Sequence, residues 1–177
     1  MKKSRFIVPA LSAAILSAIL FTSCSSSTAA VASGTSNSSS SKASASSKIY
    51  NVGETLKVDN IEMTVTKVDK SQGSEYDKPQ KAENEFVIVS VSIKNDGQKQ
   101  VSYNPYYFKM QNSQGQIVNT TYTSINSDTS LNSGDLAAGG SVTGTVAFEE
   151  PTNDAGLVLQ YQDNVFANGS KLQFKIS

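Results

Sequence analysis

Nine residues, Phe86 to Lys94, constrain the fold more than any others in the chain. They set Val87, Val89, Val91 and Ile93 on one side and Ser90, Ser92 and Lys94 on the other. A period of two gathers alternate side chains on one face only in an extended strand, because a helix would scatter them around its circumference. Phe86 and Ile88 make the first half of this strand apolar on both sides, as expected of a central strand that starts under a cover. The same pattern recurs in Ile61-Met63-Val65, Tyr106-Phe108-Met110, Val142-Val146-Phe148, Leu157-Leu159-Tyr161 and Leu172-Phe174-Ile176. Between these runs stand turn residues. Asn95-Asp96-Gly97 predicts a hairpin into Val101 and Tyr103, and Asn112 to Gly115 predicts another into Ile117 and Val118. Asp69 to Asn84 reads as a polar loop, and so does Thr120 to Gly140, with Leu131 and Leu136 as plugs that pin the second loop to the core. Gly144 lies on an inward face, where a neighbouring segment can approach closely. About seven to nine short strands, each with one apolar face, bury those faces by stacking two sheets, so an all-β antiparallel sandwich is predicted over 49–177.

The first 48 residues are of another kind. Lys2, Lys3 and Arg5 precede an apolar body from Phe6 to Phe21 that is interrupted by Pro9, Ser12 and Ser17, and small residues follow at Thr22 and Ser23. This is the three-part layout of a secretory signal, and its apolar body falls short of the roughly 20 residues that span a bilayer. Cys24, the one cysteine of the 177 residues, comes directly after it. Residues 21–24 resemble the lipobox of bacterial lipoproteins, with Phe21 where that motif favours leucine. The resemblance implies cleavage after residue 23 and a diacylglyceryl group on Cys24. Two acyl chains on one residue hold a protein at a membrane, where a single chain is marginal. The expected location is therefore the extracytoplasmic face of the cell membrane. From 24 to 48 the chain is mostly Ser, Ala and Thr, a composition with too little apolar surface to offset the entropy of ordering it. A disordered linker of this length has a root-mean-square reach of roughly 25–30 Å and an extended limit of about 80 Å.

Charge and composition exclude several classes of function. Residues 49–177 carry ten lysines against fifteen acids, a net charge of −5, so they offer no basic footprint for nucleic acid. Histidine is absent, which removes the usual general base near neutral pH and any histidine-held metal. With Cys24 lipidated no cysteine nucleophile or internal disulfide remains, and no Ser-x-x-Lys stands on a helical pattern in 49–177. The pair Glu149-Glu150 beside Pro151 reads as a solvated strand end. No enzyme activity and no cofactor are expected.

Val52-Gly53-Glu54-Thr55, the strand ending in Lys94-Asn95-Asp96-Gly97, Gly115, and Leu136 to Phe148 together resemble the bacterial family known as domain of unknown function DUF4352. The resemblance covers roughly Tyr50 to Ser177. It implies an immunoglobulin-like sandwich similar to extracellular immunoprotective antigens and carried on secreted lipoproteins, mostly of Gram-positive bacteria. It brings no catalytic or binding residues to transfer.

Two constellations in the chain itself could bind something. Tyr103, Tyr106 and Tyr107, around Asn104-Pro105, form a candidate aromatic patch for a protein or glycan partner of the envelope, since tyrosine offers contact area with few rotors. Asp128, Asp135, Glu149, Glu150, Asp154 and Asp163 could supply oxygen ligands to calcium, although their spacing fits no known loop motif. The sequence thus predicts a membrane-anchored lipoprotein whose sandwich is a non-enzymatic recognition or accessory module. The alternatives are a structural envelope spacer with no specific ligand and a calcium-binding surface domain.

Overall fold

The structure, a computed structural model, describes residues 48–166 and 169–177. The predicted signal peptide (1–23), Cys24 and, apart from Lys48, the predicted linker lie outside the described residues. Among the described residues eleven strands make an all-β fold, two more than the upper expectation. One sheet has the order β1 (Ile49–Asn51), β11 (Leu172–Lys175), β10 (Val158–Tyr161), β6 (Phe108–Gln111) and β7 (Ile117–Asn119). The other runs β2 (Thr55–Val58), β3 (Ile61–Ser71), β4 (Asn84–Asn95) and β9 (Ser141–Pro151). A separate two-stranded ribbon pairs β5 (Val101–Tyr103) with β8 (Gly134–Leu136). Pairing is antiparallel between named strands except for β1 beside β11. The inward rows of both sheets meet in one apolar core. Met63, Val65, Val87, Val89, Val91, Val146 and Phe148 come from the second sheet, and Phe108, Met110, Leu159, Tyr161 and Phe174 from the first. This core, without a disulfide among the described residues, buries each of those side chains to 3% exposure or less.

Phe86 and Ile88 do start under a cover. On the outer face they form a second small cluster with Ala147. The segment 120–131 crosses this region, with Thr121 bridged to Ala147 and Ser130 to Thr145. The loop 72–83 is tied to the same segment, because Asp77 accepts hydrogen bonds from the Thr123 and Ser124 hydroxyls (2.6 and 2.8 Å) and from the Ser124 N–H (2.5 Å). Those three donors hold the Asp77 carboxyl below the usual range, the Thr123 hydroxyl contributing most.

The same two bridges close the open edge of β9, an eleven-residue edge strand. Thr121 N–H donates to Ala147 O (2.8 Å) and Leu131 N–H to Thr145 O (2.9 Å). Leu131 reaches that position because Gly144 has no side chain: a Cβ there would stand 2.9 Å from Leu131 Cα. Leu131 and Leu136 are both buried, as plugs of the long loop.

Three expectations change. Asn95-Asp96-Gly97 does not close a hairpin. Strand β4 already has β3 on one side and β9 on the other, so Val101 to Tyr103 pairs with β8 instead. The fully buried Asn95 redirects the chain: its Nδ2 donates to the carbonyls of Lys99 (2.7 Å), Leu136 (3.0 Å) and Ala137 (3.0 Å), and its Oδ1 accepts the Gly97 N–H (2.9 Å). Its backbone N–H donates to Gly140 O and its carbonyl accepts from Gly139 N–H, both at 2.9 Å. One side chain thus knits the Lys-Asn-Asp-Gly turn to the Leu136–Gly140 turn. The loop predicted from Asp69 begins only after Ser71. A bulge between Val65 and Lys67 inserts a residue, breaks the period-2 pattern and conceals the second half of β3. Finally, Glu149 and Glu150 are strand residues, and Glu150 is 1% exposed where a solvated end was expected.

Candidate functional site

Where the β2–β3 turn meets β5 and the junction of β10 and β11, the sandwich end opens into a half-enclosed cleft of about 320 Å³. Its apolar walls are Val58, Ile61 and Val101, with the rings of Tyr107 and Tyr161; Asp59, Asn60, Ser102, Asp163 and Lys171 form its mouth. Each position has a local cause. Asp59 adopts φ 52°, a left-handed conformation that a short polar residue tolerates, in the tight turn from Val58 to Ile61. That turn is fixed from behind by Asp96 N–H donating to Asn60 O (2.8 Å). Tyr107 closes a 3-10 turn, Pro105–Tyr107, capped by Asn104, whose Oδ1 accepts the Tyr106 N–H at 2.9 Å. Its own carbonyl accepts Gln162 N–H (2.8 Å), which binds the turn to the end of β10.

Lys171 bridges the mouth. Its Nζ lies 2.7 Å from Asp59 Oδ2, 112 residues away in the chain, and 2.6 Å from Asp163 Oδ2. The hydrogen bonds to Asp163 and then Asp59 hold its ammonium above the ordinary lysine range. Below it Tyr161 is 1% exposed, packed edge-on to Tyr107 (centroids 6.4 Å apart, 76°) and against Phe108 (5.3 Å). The Tyr161 hydroxyl is buried and has no hydrogen-bond partner among the described residues. Burial raises its pKa first and the Asp163 charge second, so it stays a phenol.

The three tyrosines of the predicted patch do not converge. Tyr107 lines the cleft. Tyr103 packs against the core, its ring so close to Gly134 that a Cβ there would meet the hydroxyl at 2.6 Å. Tyr106 was expected inward with Phe108 and Met110, but it is 63% exposed because the 3-10 turn interrupts the alternation. It flanks a shallow hollow of about 160 Å³ together with Tyr122. Of the six acids proposed for calcium, four are taken up by protein contacts: Asp135 accepts the Ser102 hydroxyl (2.5 Å), Asp154 holds Ser113 and Gly156, Glu149 holds Lys81 N–H and Asn84, and Asp163 holds Lys171, while Glu150 is buried at 1% exposure. Asp128 is exposed to solvent. Among the described residues no three acids, cysteines or histidines stand close enough to hold a metal ion. A larger groove of about 840 Å³ is lined only by residues of the 72–84 segment.

Asp59, Tyr161 and Lys171 were not singled out by the sequence. The Val-Asp-Asn-Ile turn was a legible local signal for Asp59, whereas the pairing with Lys171 spans nearly the whole domain.

Two sheets stacked on a shared apolar core, without a disulfide among the described residues, define a β-sandwich. The sequence pattern of the domain of unknown function DUF4352 matches residues 50–172, and the chain belongs to that family. It is 29% identical over 117 residues to the uncharacterized lipoprotein YjhA of Bacillus subtilis, covering 60% of this chain and 55% of that protein. The chain therefore spans about half the length of that curated relative. The crystal structure of the B. subtilis yjhA protein aligns over 73% of this chain and all of its own, with TM-score 0.57 and 22% identity. MPT63, a secreted protein of Mycobacterium tuberculosis, aligns over 75% of this chain and 99% of its own with TM-score 0.56, at 13% identity. A putative B. subtilis lipoprotein, ycdA, gives TM-score 0.56 and 21% identity over 70% of this chain and 38% of its own. At these identities the structural likenesses establish the fold.

Proposed function

We propose that the protein is a lipoprotein held at the extracytoplasmic face of the membrane through Cys24, whose sandwich is a non-enzymatic recognition module with its ligand site in the Tyr107–Tyr161 cleft. The observation that carries this reading is the cleft itself: a half-enclosed space of about 320 Å³ with apolar walls and a few polar groups at its mouth. A concave, largely apolar space edged by a few polar groups is the usual character of a small-ligand site. The signal-like segment before Cys24 and the lipoprotein relative support the anchor. The protein groups around the cleft support binding more than catalysis, because its lysine is locked between two carboxylates and its tyrosine is held neutral.

Two measurements test the reading. Cys24→Ala should leave the precursor uncleaved and without acyl label in cells fed a radiolabelled fatty acid; normal labelling would refute the anchor. Full chain immobilised on beads should retain solubilised envelope material saturably, and Ser102→Trp, which places an indole across the mouth from an exposed position, should abolish retention. Equal retention by both chains would remove the cleft from the function, and no retention by either would leave a spacer.

A further inference from the structure

The geometry points to a neutral sugar residue as the ligand of the Tyr107–Tyr161 cleft. This inference rests on the reading of the cleft as the recognition site and adds the chemistry of what it takes. The groups at the mouth and floor are of three kinds. Asp59 and Asp163 only accept hydrogen bonds, as does Ser102, whose hydroxyl proton is given to Asp135; Lys171 only donates, and the Asn60 amide can do both. An anion entering the mouth meets two carboxylates, and a cation meets an ammonium that they already hold at 2.6–2.7 Å. With two carboxylates to one ammonium the triad repels an anion, and the lysine ammonium already fills the place between the carboxylates that a cation would take. The triad suits a ligand whose neighbouring atoms both donate and accept, and closely spaced ring hydroxyls have that property. The walls fit the other side of such a ring. Val58, Ile61 and Val101 with the half-buried Tyr107 ring offer an apolar surface to the C–H face of a pyranose, while the volume accommodates about one residue of a chain. Tyr161, 1% exposed, closes the floor, and its buried hydroxyl is shut off from the cleft's solvent.

The experiment is saturation-transfer NMR on the full chain, solubilised in a detergent without a sugar headgroup, with glucose, galactose, mannose and N-acetylglucosamine as probes at millimolar concentration. At least one probe should receive saturation through its ring protons. Ser102→Trp and Lys171→Met, each checked for wild-type melting, should lower that transfer at least tenfold. Lys171→Met keeps the alkyl stem and removes only the donor, so it decides the matter if the tryptophan variant melts early. Absence of transfer to all four sugars, or transfer that persists undiminished in the folded variants, overturns the inference. If no sugar responds while the beads still lose envelope material on Ser102→Trp, the site recognises a protein and only the sugar chemistry fails. If the beads retain nothing, the recognition reading itself fails.

Discussion

Glu150 offers a stability test whose sign can be worked out in advance. On the inward face at one end of the second sheet, Lys70, Glu85 and Glu150 lie on three successive strands, with Glu85 directly opposite Glu150. Lys70 Nζ sits 3.1 Å from Glu85 Oε1, and the Asn153 N–H reaches the same oxygen at 3.1 Å. Glu150 is 1% exposed, and neither of its oxygens has a hydrogen-bond partner among the described residues. Burial pushes its carboxyl from the ordinary 4.5 up to about 7; the nearby Asn112 amide offsets part of this and the Asp154 charge adds to it. The folded protein thus binds a proton that the unfolded chain releases between pH 4.5 and 7, so stability falls as pH rises through that window and levels off above it. A difference of about 2.5 pH units corresponds to about 3 kcal/mol. The carboxylates held below their ordinary values, Asp77, Asp96, Asp154 and Glu149, act in the opposite direction and at lower pH, since their contribution is lost only as pH falls below 3.8 for the aspartates and 4.5 for the glutamate. Glu150→Gln, an uncharged near-isostere, should therefore raise the urea midpoint at pH 8 by about 1–3 M at ordinary urea slopes and leave it nearly unchanged at pH 4.5. Midpoints followed by circular dichroism from pH 4.5 to 8 supply the comparison. Curves for the two chains that stay parallel across the window would refute the reasoning.

The remaining predictions concern how the fold is fastened. Asn95→Ala removes the donor shared by three carbonyls, two of them in the Leu136–Gly140 turn, and should cost about 3 kcal/mol in chemical denaturation; a loss under about 1 kcal/mol would contradict the role of Asn95 as the knot between the two turns. Gly144→Ala forces a methyl to within 2.9–3.0 Å of Leu131 and should destabilise by about 1–3 kcal/mol, whereas Val142→Ala, lacking that clash, should not displace Leu131 in a crystal structure of the variant. Asp77→Ala should speed amide exchange at Ser124 while the β3 and β4 amides keep their protection; uniform acceleration across the domain would show that the 72–83 loop is part of the cooperative unit instead.

The core was legible where a period of two ran unbroken. Val87 to Ile93, Leu157 to Tyr161 and Leu172 to Ile176 fall on the inward faces their spacing predicts, and Gly144 does receive the close neighbour that a missing side chain permits. Where a single residue shifted the phase, the pattern misled. The bulge after Val65 hid half of β3, and the 3-10 turn at Pro105 turned Tyr106 outward and Tyr107 inward. The cleft was harder still, because it is assembled from segments that are distant in the chain. Tyr107 was among the residues singled out, but a lysine at 171 and an aspartate at 59 carry no local mark of their partnership. Burial of Glu150 likewise depends on its strand register and escapes notice in a Glu-Glu-Pro run.

The two backbone rungs on β9 cover only its middle, and they need not cover more. By gripping Thr145 and Ala147 they leave Ser141–Thr143 at one end and Glu149–Pro151 at the other. Each remnant is too short for a foreign strand to zip onto with any length of ladder, and one of them ends in a proline that has no hydrogen to offer. For copies anchored to one bilayer surface as proposed, that punctuated border denies a neighbour the longest edge strand of the sandwich.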